Sequence, residues 1–192
     1  MQRILLIDNY DSFTYNLVES FRRLDGCTLE VVTHDRVELP AVAEYDRIVF
    51  SPGPGLPDEY PAMFRILEEY HREKPILGIC LGHQAIARYF GARLGNLPGV
   101  LHGRSVEIEV QPPVDRLFQG IPRQTTVGLY HSWEVRDYEL PGSLRVTATG
   151  PGGIIMGLAH TAYNIRGVQF HPESFITREG GRMLGNWVGG SS

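Results

Sequence analysis

Short apolar runs separated by stretches of helical periodicity make up the first half of the chain. Ile4-Leu5-Leu6-Ile7 is apolar on both faces, as a strand covered on two sides must be. Phe13, Leu17, Phe21 and Leu24 then recur at helical spacing until Gly26 ends the series, which predicts an amphipathic helix. Leu29 to Val32 and Ile48 to Phe50 are the next strands. Asp58 to Glu73 follows as a helix, with acids near its start and Met63, Ile66, Leu67 and Tyr70 on one face. Pro75 closes it, and Ile76 to Ile79 is a further strand that hands over to a helix beginning near Leu81. Strands without a wet face, alternating with helices, predict an α/β fold: an open, mostly parallel sheet with helices on both faces.

The pattern changes after about residue 100. Val106-Glu107-Ile108-Glu109-Val110 alternates apolar and acidic residues at period two, a strand with one wet face. Thr125 to Tyr130, Leu144 to Thr149, Ile154 to Ala159 and Ile165 to Phe170 add strands, punctuated by Pro141-Gly142 and Gly150-Pro151-Gly152-Gly153. A closing helix is expected from about Arg178 to Val188, and Gly189-Gly190-Ser191-Ser192 is expected to fray. No repeat, low-complexity segment or linker divides the sequence, so residues 1–192 read as a single domain.

Composition narrows the function classes. The 192 residues are 42% hydrophobic, enough for one well-buried core. Eighteen basic residues against 22 acidic ones give a net charge of -4, with no Lys/Arg run, which excludes an electrostatic footprint for nucleic acid or an anionic membrane. Two cysteines make no disulfide framework and point to a reducing compartment. The run Ile4 to Ile7 is too short for a signal-peptide core, and no apolar stretch reaches transmembrane length, so a cytoplasmic location is expected.

Three segments carry candidate chemistry, and each follows a strand. In Gly78-Ile79-Cys80-Leu81-Gly82-His83-Gln84 a cysteine stands at a strand-to-helix turn. There the free N–H groups and dipole of the following helix would favour the thiolate, and Gly78 and Gly82 would let the chain turn and a substrate approach. The turn alone suits a nucleophile or a small buried hydrophobe equally. Gln169-Phe170-His171-Pro172-Glu173 places a carboxylate two residues beyond an imidazole, the same side of an extended chain, so Glu173 can orient His171 as a base. A surface turn would use the same residues. Ser51-Pro52-Gly53-Pro54-Gly55-Leu56-Pro57 is either a stiff connector or a preformed donor loop for a developing oxyanion. In an open α/β sheet, loops at the carboxyl ends of strands converge on one crevice.

Taken together and in this order, the Ser51–Gly55, Gly78–Gln84 and Gln169–Ser174 segments resemble those of class I glutamine amidotransferases. The opening Asp8-Asn-Tyr-Asp-Ser-Phe-Thr-Tyr-Asn16, His102-Gly-Arg104 and Tyr130-His-Ser-Trp133 resemble, within that family, the small subunits of anthranilate and aminodeoxychorismate synthases. The resemblance covers nearly the whole chain. It implies a flavodoxin-like amidotransferase fold and a Cys80-His171-Glu173 triad that hydrolyses L-glutamine through a glutamyl thioester. It implies an oxyanion hole at the N–H groups of Gly55 and Leu81, with Gly53, Pro54, Gln84, Ser132 and Trp133 holding the glutamine. No cofactor or metal is implied. The partner would be a large chorismate-binding subunit that receives the ammonia. Two residues depart from the family pattern: Leu56, where a small hydroxyl residue is common, and Trp133, where leucine is usual. Gly128-Leu-Tyr-His-Ser-Trp133 inclines the resemblance toward the aminodeoxychorismate side.

Other classes would use the fold differently. A stand-alone γ-glutamyl hydrolase would need no partner and fits Gly53–Gly55 and Tyr130–Ser132 poorly; a non-catalytic regulatory module would be expected to have lost Cys80, His171 or Glu173. Asp8 and Asp11 lack the spacing of a phosphate loop or metal site, and Ser12 or Thr14 is expected to cap the first helix. His131 and His160, placed at strand ends, are expected to be structural, as is Cys27, and His83 is expected to point away from the nucleophile.

Overall fold

The computed structural model describes residues 1–138 and 140–189; the predicted fraying of Gly190-Ser191-Ser192 lies outside these. In chain order the elements are β1 (Gln2–Asp8), α1 (Thr14–Arg22), β2 (Cys27–Thr33), β3 (Arg47–Phe50), α2 (Pro61–Tyr70), β4 (Ile76–Ile79), α3 (Leu81–Tyr89), β5 (Leu94–Val110), β6 (Gln124–Val135), β7 (Leu144–Thr149), β8 (Ile155–His160), β9 (Ile165–Val168) and α4 (Gly180–Val188). Gly189 is ordered by an N–H bond to the Gly185 carbonyl, so it closes α4 rather than fraying.

Among the described residues all nine strands join one sheet in the order β2-β1-β3-β4-β9-β8-β7-β5-β6. From β2 to β9 the pairing is parallel, and from β9 outward it is antiparallel. The parallel half is covered on both faces. Successive residues of a strand point to opposite sides, and β1 shows the result: Ile4 and Leu6 pack with Leu17 and Phe21 of α1 and Met183 and Trp187 of α4, whereas Leu5 and Ile7 pack with Met63 and Ile66 of α2 and Ala85 and Ile86 of α3. A third, smaller cluster around Ala92, Val135, Leu144 and Leu158 fills the antiparallel half. Among the described residues no helix is long and apolar enough to cross a membrane.

Three further expectations are corrected. The helix read over 58–73 is two pieces, a 3-10 turn at Pro57–Glu59 and α2 from Pro61. Pro61 disfavours helical backbone at the residue before it, and Tyr60 sits at φ -121, ψ 68 with its hydroxyl donating to the Pro54 carbonyl at 2.8 Å. Neither Ser12 nor Thr14 caps α1, whose N-cap is Phe13 without a side-chain bond. Instead Asp11 accepts the Phe13 N–H at 2.7 Å and Asp8 accepts the Thr14 hydroxyl at 2.8 Å, so the two acids of this turn brace the backbone. The strand read at 106–110 is the end of β5, which begins at Leu94 and forms a long hairpin with β6, irregular between Asn96 and Leu101. That hairpin brings 130–133 over the end of β4.

Candidate active site

Cys80 is the N-cap of α3 and has φ 52, ψ -101, one of two non-glycine residues with positive φ among those described. This is close to the first central position of a type II′ turn, which glycine ordinarily fills. The strain therefore sits on the cysteine, and the flanking glycines serve another purpose than the expected turning. A Cβ on Gly78 would lie 2.4 Å from the Gly82 carbonyl carbon and oxygen, and one on Gly82 would lie 2.6 Å from Phe50 Cβ and O. Both are glycine so that α3 can start in contact with β3 and β4. The Cys80 N–H bonds the Val168 carbonyl at 2.8 Å, tying the turn to β9. Leu81, the first residue of α3, has an N–H with no intrahelical acceptor.

β9 lies beside β4 and ends at Val168, which carries His171 to the same sheet end. The His171 N–H bonds the Gly128 carbonyl at 3.1 Å, and its carbonyl accepts the Thr177 hydroxyl at 2.7 Å. His171 Nδ1 pairs with Glu173 Oε1 at 2.6 Å, both side chains buried. The pairing matches the sequence expectation but its geometry does not: residues 171–174 form a turn, closed by the Ser174 N–H on the His171 carbonyl at 3.2 Å, rather than an extended segment. Burial by itself would depress the His171 imidazole, but its contact with Cys80 and the Glu173 carboxylate override this and hold it well above its ordinary value. Nε2 makes no hydrogen bond of good geometry, so the contact with Cys80 that raises the imidazole is a loose one, part hydrogen bond and part charge.

Two clefts meet at the sulfur. One, of about 120 Å³, is lined by Gly53, Pro54, Gly55, Cys80, Gln84, Val100, Tyr130, His131, Ser132 and Trp133. The other, of about 290 Å³, opens between the 10–13 turn and His102, and Cys80, Tyr130, His171, Pro52, Gly53 and Pro54 also border it. Nine of the ten predicted site residues line one or both or, for Glu173, back His171; Leu81 lines neither and is buried behind Gly53. Gly55 takes φ 74, where a Cβ would lie 2.5 Å from Glu59 Oε1, the same oxygen that accepts the Leu56 N–H at 2.9 Å. Leu56 borders a neighbouring cleft with Trp133, Arg88 and Arg93 and not the one at Cys80, whereas Trp133 borders both.

Three other histidines have structural partners or surroundings. His131, inside β6 rather than at its end, donates Nδ1–H to the Trp133 carbonyl at 2.8 Å, and burial first, then His171, lower its pKa. His160 Nδ1 accepts the N–H groups of Ala162 and Tyr163, both at 3.0 Å. His83 lines neither cleft; its ring rests on Gly167, and burial lowers its pKa to about 3. Asp11 borders the second cleft, its carboxyl pushed up by burial and by Glu173 against the pull of the Phe13 N–H and His171. Among the described residues no His, Cys, Asp and Glu group could hold a metal ion.

One side chain near the sulfur has no place in the sequence reading beyond being part of the strand-end motif. Gln169 is fully buried, and its Nε2 lies 3.6 Å from Cys80 Sγ. A buried glutamine two positions before a histidine gives no periodic or charge signal by which it could be singled out.

The family model for glutamine amidotransferase class-I matches residues 5–189. The chain is 44% identical to anthranilate synthase component 2 of Mycobacterium tuberculosis (strain CDC 1551 / Oshkosh), over 97% of this chain and 81% of that one. It is 40% identical to aminodeoxychorismate synthase component 2 of Escherichia coli (strain K12), over 96% of this chain and 98% of that one. Among solved structures, a Thermoplasma acidophilum protein provisionally named as part of a GMP synthase superposes with a TM-score of 0.88 at 27% identity, covering 98% of this chain and 93% of that one. A match from the first strand to the last helix, on the same α/β sheet, leaves one conclusion: the chain belongs to the class-I glutamine amidotransferases.

Proposed function

We propose that this chain is the glutaminase subunit of a two-component synthase, hydrolysing L-glutamine at Cys80 and passing ammonia to a chorismate-binding large subunit. The observation that carries the reading is the convergence of a cysteine on a strained strand-to-helix turn with a buried His171–Glu173 pair at 2.6 Å, where two clefts meet.

Glutamine enters the smaller cleft, its main-chain groups against Gly53, Pro54, Gln84, Ser132 and Trp133 and its side-chain amide at Cys80. The sulfur attacks the amide carbon. The oxygen that becomes negative lies against the N–H groups of Gly55 and Leu81, the second of these at the positive end of α3. His171, held protonated beside Glu173, gives its Nε2 proton to the departing nitrogen, so ammonia leaves and a thioester remains. The now neutral imidazole takes a proton from water, hydroxide adds to the thioester, and glutamate departs as the thiol is restored. Glu173 stabilises the imidazolium at both stages.

Ammonia leaves through the second cleft. Phe13 and Tyr130 rings stand 4.7 Å apart there, and Tyr130 and His171 4.8 Å apart, and cover by the partner would keep water from the product. The small subunits of both synthases are relatives of this chain, and the aromatic product is set by the large subunit it meets. Purified with each large component, the chain should support synthesis from glutamine, and the product identifies the partner. Cys80→Ser should abolish synthesis from glutamine while leaving synthesis from added ammonium intact. Loss of both, or full glutaminase turnover by the isolated chain unchanged on adding a large component, contradicts the assignment.

A further inference from the structure

A backbone carbonyl sets the polarity of the side chains around the Cys80 sulfur. The Trp133 carbonyl can only accept hydrogen bonds. His131 donates Nδ1–H to it at 2.8 Å, and Gln84 therefore turns its amino end, Nε2, toward it at 2.9 Å. The same Gln84 amino group reaches Gln169 Oε1 at 3.2 Å. That contact decides which end of the Gln169 amide faces Gln84, and it leaves Nε2 pointing at Cys80 Sγ, 3.6 Å away. Reversing the Gln169 amide would set two amino groups against each other and an oxygen against the sulfur. The sense of the chain is thus fixed from β6 through α3 to the residue after β9.

We propose that Gln169 is a positioning residue for the nucleophile: its amide N–H steers Cys80 Sγ and favours the thiolate, with the Trp133 carbonyl and Gln84 fixing the direction of that donor. The proposal rests on Cys80 being the nucleophile. It gives the sulfur a side-chain donor already in contact in the resting site, beside the looser contact from His171. Gln169 has no exposed surface with which to meet substrate, and its backbone N–H is engaged by the Met156 carbonyl at 3.0 Å, so the residue is anchored at its backbone while Gln84 holds its side chain. A negative sulfur gains more from such a donor than a thiol does, because hydrogen bonds to a charged acceptor are the stronger kind.

Two variants separate the donor from the shape. Gln169→Glu keeps the length and the bond from Gln84 but turns the donor into an acceptor, and Gln169→Met keeps the bulk without polarity. Cys80 alkylation by iodoacetamide is followed by peptide mass, so that Cys27 is counted apart, across neutral and alkaline pH, alongside kcat and KM for glutamine. In both variants alkylation near neutral pH should slow by roughly tenfold, the loss of a charge-assisted hydrogen bond, and should recover in alkali. kcat should fall by a similar factor with KM little changed. An alkylation profile like that of the unsubstituted protein in either folded variant overturns the proposal, as does a loss in Gln169→Glu alone. The unsubstituted protein supplies a test that needs no substitution there: the side-chain ¹⁵Nε2 resonance of Gln169 should move with the same pH dependence as alkylation, and should stand still in Cys80→Ser. A resonance indifferent to pH overturns the donor role. If Cys80→Ser instead retains glutaminase activity, the nucleophile assignment falls, while the Gln169–Cys80 contact is still read independently by alkylation and resonance.

Discussion

Replacing Cys80 by glycine should leave the protein at least about as stable as replacing it by alanine, the opposite of what a buried position normally shows. Both variants lose the sulfur and neither can form a thioester, so the comparison isolates the backbone. At a buried site with ordinary dihedrals, going from alanine to glycine removes a methyl group worth about 0.8 kcal/mol. It also adds roughly 0.4–1 kcal/mol of unfolded-chain entropy, for a total near 1.5 kcal/mol. Cys80 sits at φ 52, ψ -101, and a non-glycine residue there carries about 1–3 kcal/mol of strain, which alanine retains and glycine relieves. The terms nearly cancel or favour glycine by up to ~1.5 kcal/mol. Equilibrium urea unfolding of the two variants, with equal m-values, measures the difference. For a chain of this length an ordinary site would put the glycine variant roughly 3–6 °C below the alanine one in Tm. Ala87→Gly, in the buried interior of α3, serves as the control and should show the ordinary loss. A glycine variant at position 80 that falls below alanine by as much as the control does would refute the strained turn.

Gly78→Ala would push a Cβ to 2.4 Å from the Gly82 backbone and 2.7 Å from the His83 nitrogen, none of which can swing aside; overpacking of about 1–3 kcal/mol and a larger loss of glutaminase rate are expected, and full activity at full urea stability would contradict it. Asp115 is buried and accepts Arg145 at 2.6 Å and Arg166 at 2.7 Å; Asp115→Ala leaves Arg145 with the Pro113 carbonyl and Arg166 with Asn164, both partly exposed, and should cost about 1–3 kcal/mol, visible as a shifted urea midpoint, and an unmoved midpoint sinks the assignment. His83 has a folded-state pKa lowered from 6.5 to about 3 by burial. The unfolded chain therefore binds more protons between these values, so the stability tied to neutral His83 is full above 6.5 and is lost as pH falls toward 3. His83→Gln should flatten the acid side of the stability curve, and curves that stay parallel would remove His83 from the account.

Much of the parallel half was legible because its strands are short apolar runs, and burial on both faces leaves no other reading for Ile4–Ile7 or Ile76–Ile79. Leu94 to Ser105 was opaque for the converse reason. Asn96, Pro98, Gly99 and Gly103 interrupt any alternation, and the segment is a strand only because β6 pairs with it across an irregular register. Pro61 carried the signal for the broken helix, but whether a proline starts or interrupts a helix depends on what the residue before it meets, here the Pro54 loop. At the site, Cys80 and His171 stood out by residue type and Glu173 by its spacing from His171. The roles of Gly78 and Gly82 did not, since close approach to Phe50 and between the two glycines is a tertiary matter. Nor did Gln169, whose partners Gln84 and Cys80 are 85 and 89 positions away.

The adjacency of β4 and β9 has a consequence for the order in which the protein is made. Cys80 leaves the ribosome well before its neighbour strand exists, and a nascent chain that has reached only β8 carries the cysteine without Gln169, His171 or Glu173. Its fourth strand is then a sheet edge, and the Cys80 N–H still lacks the Val168 carbonyl. Such a chain presents the sulfur without the amide donor and the imidazole that adjoin it in the finished fold. Arrested chains of increasing length should therefore be alkylated slowly at this position until β9 emerges, then abruptly faster, making the sulfur's reactivity a chemical clock for arrival of the last strand.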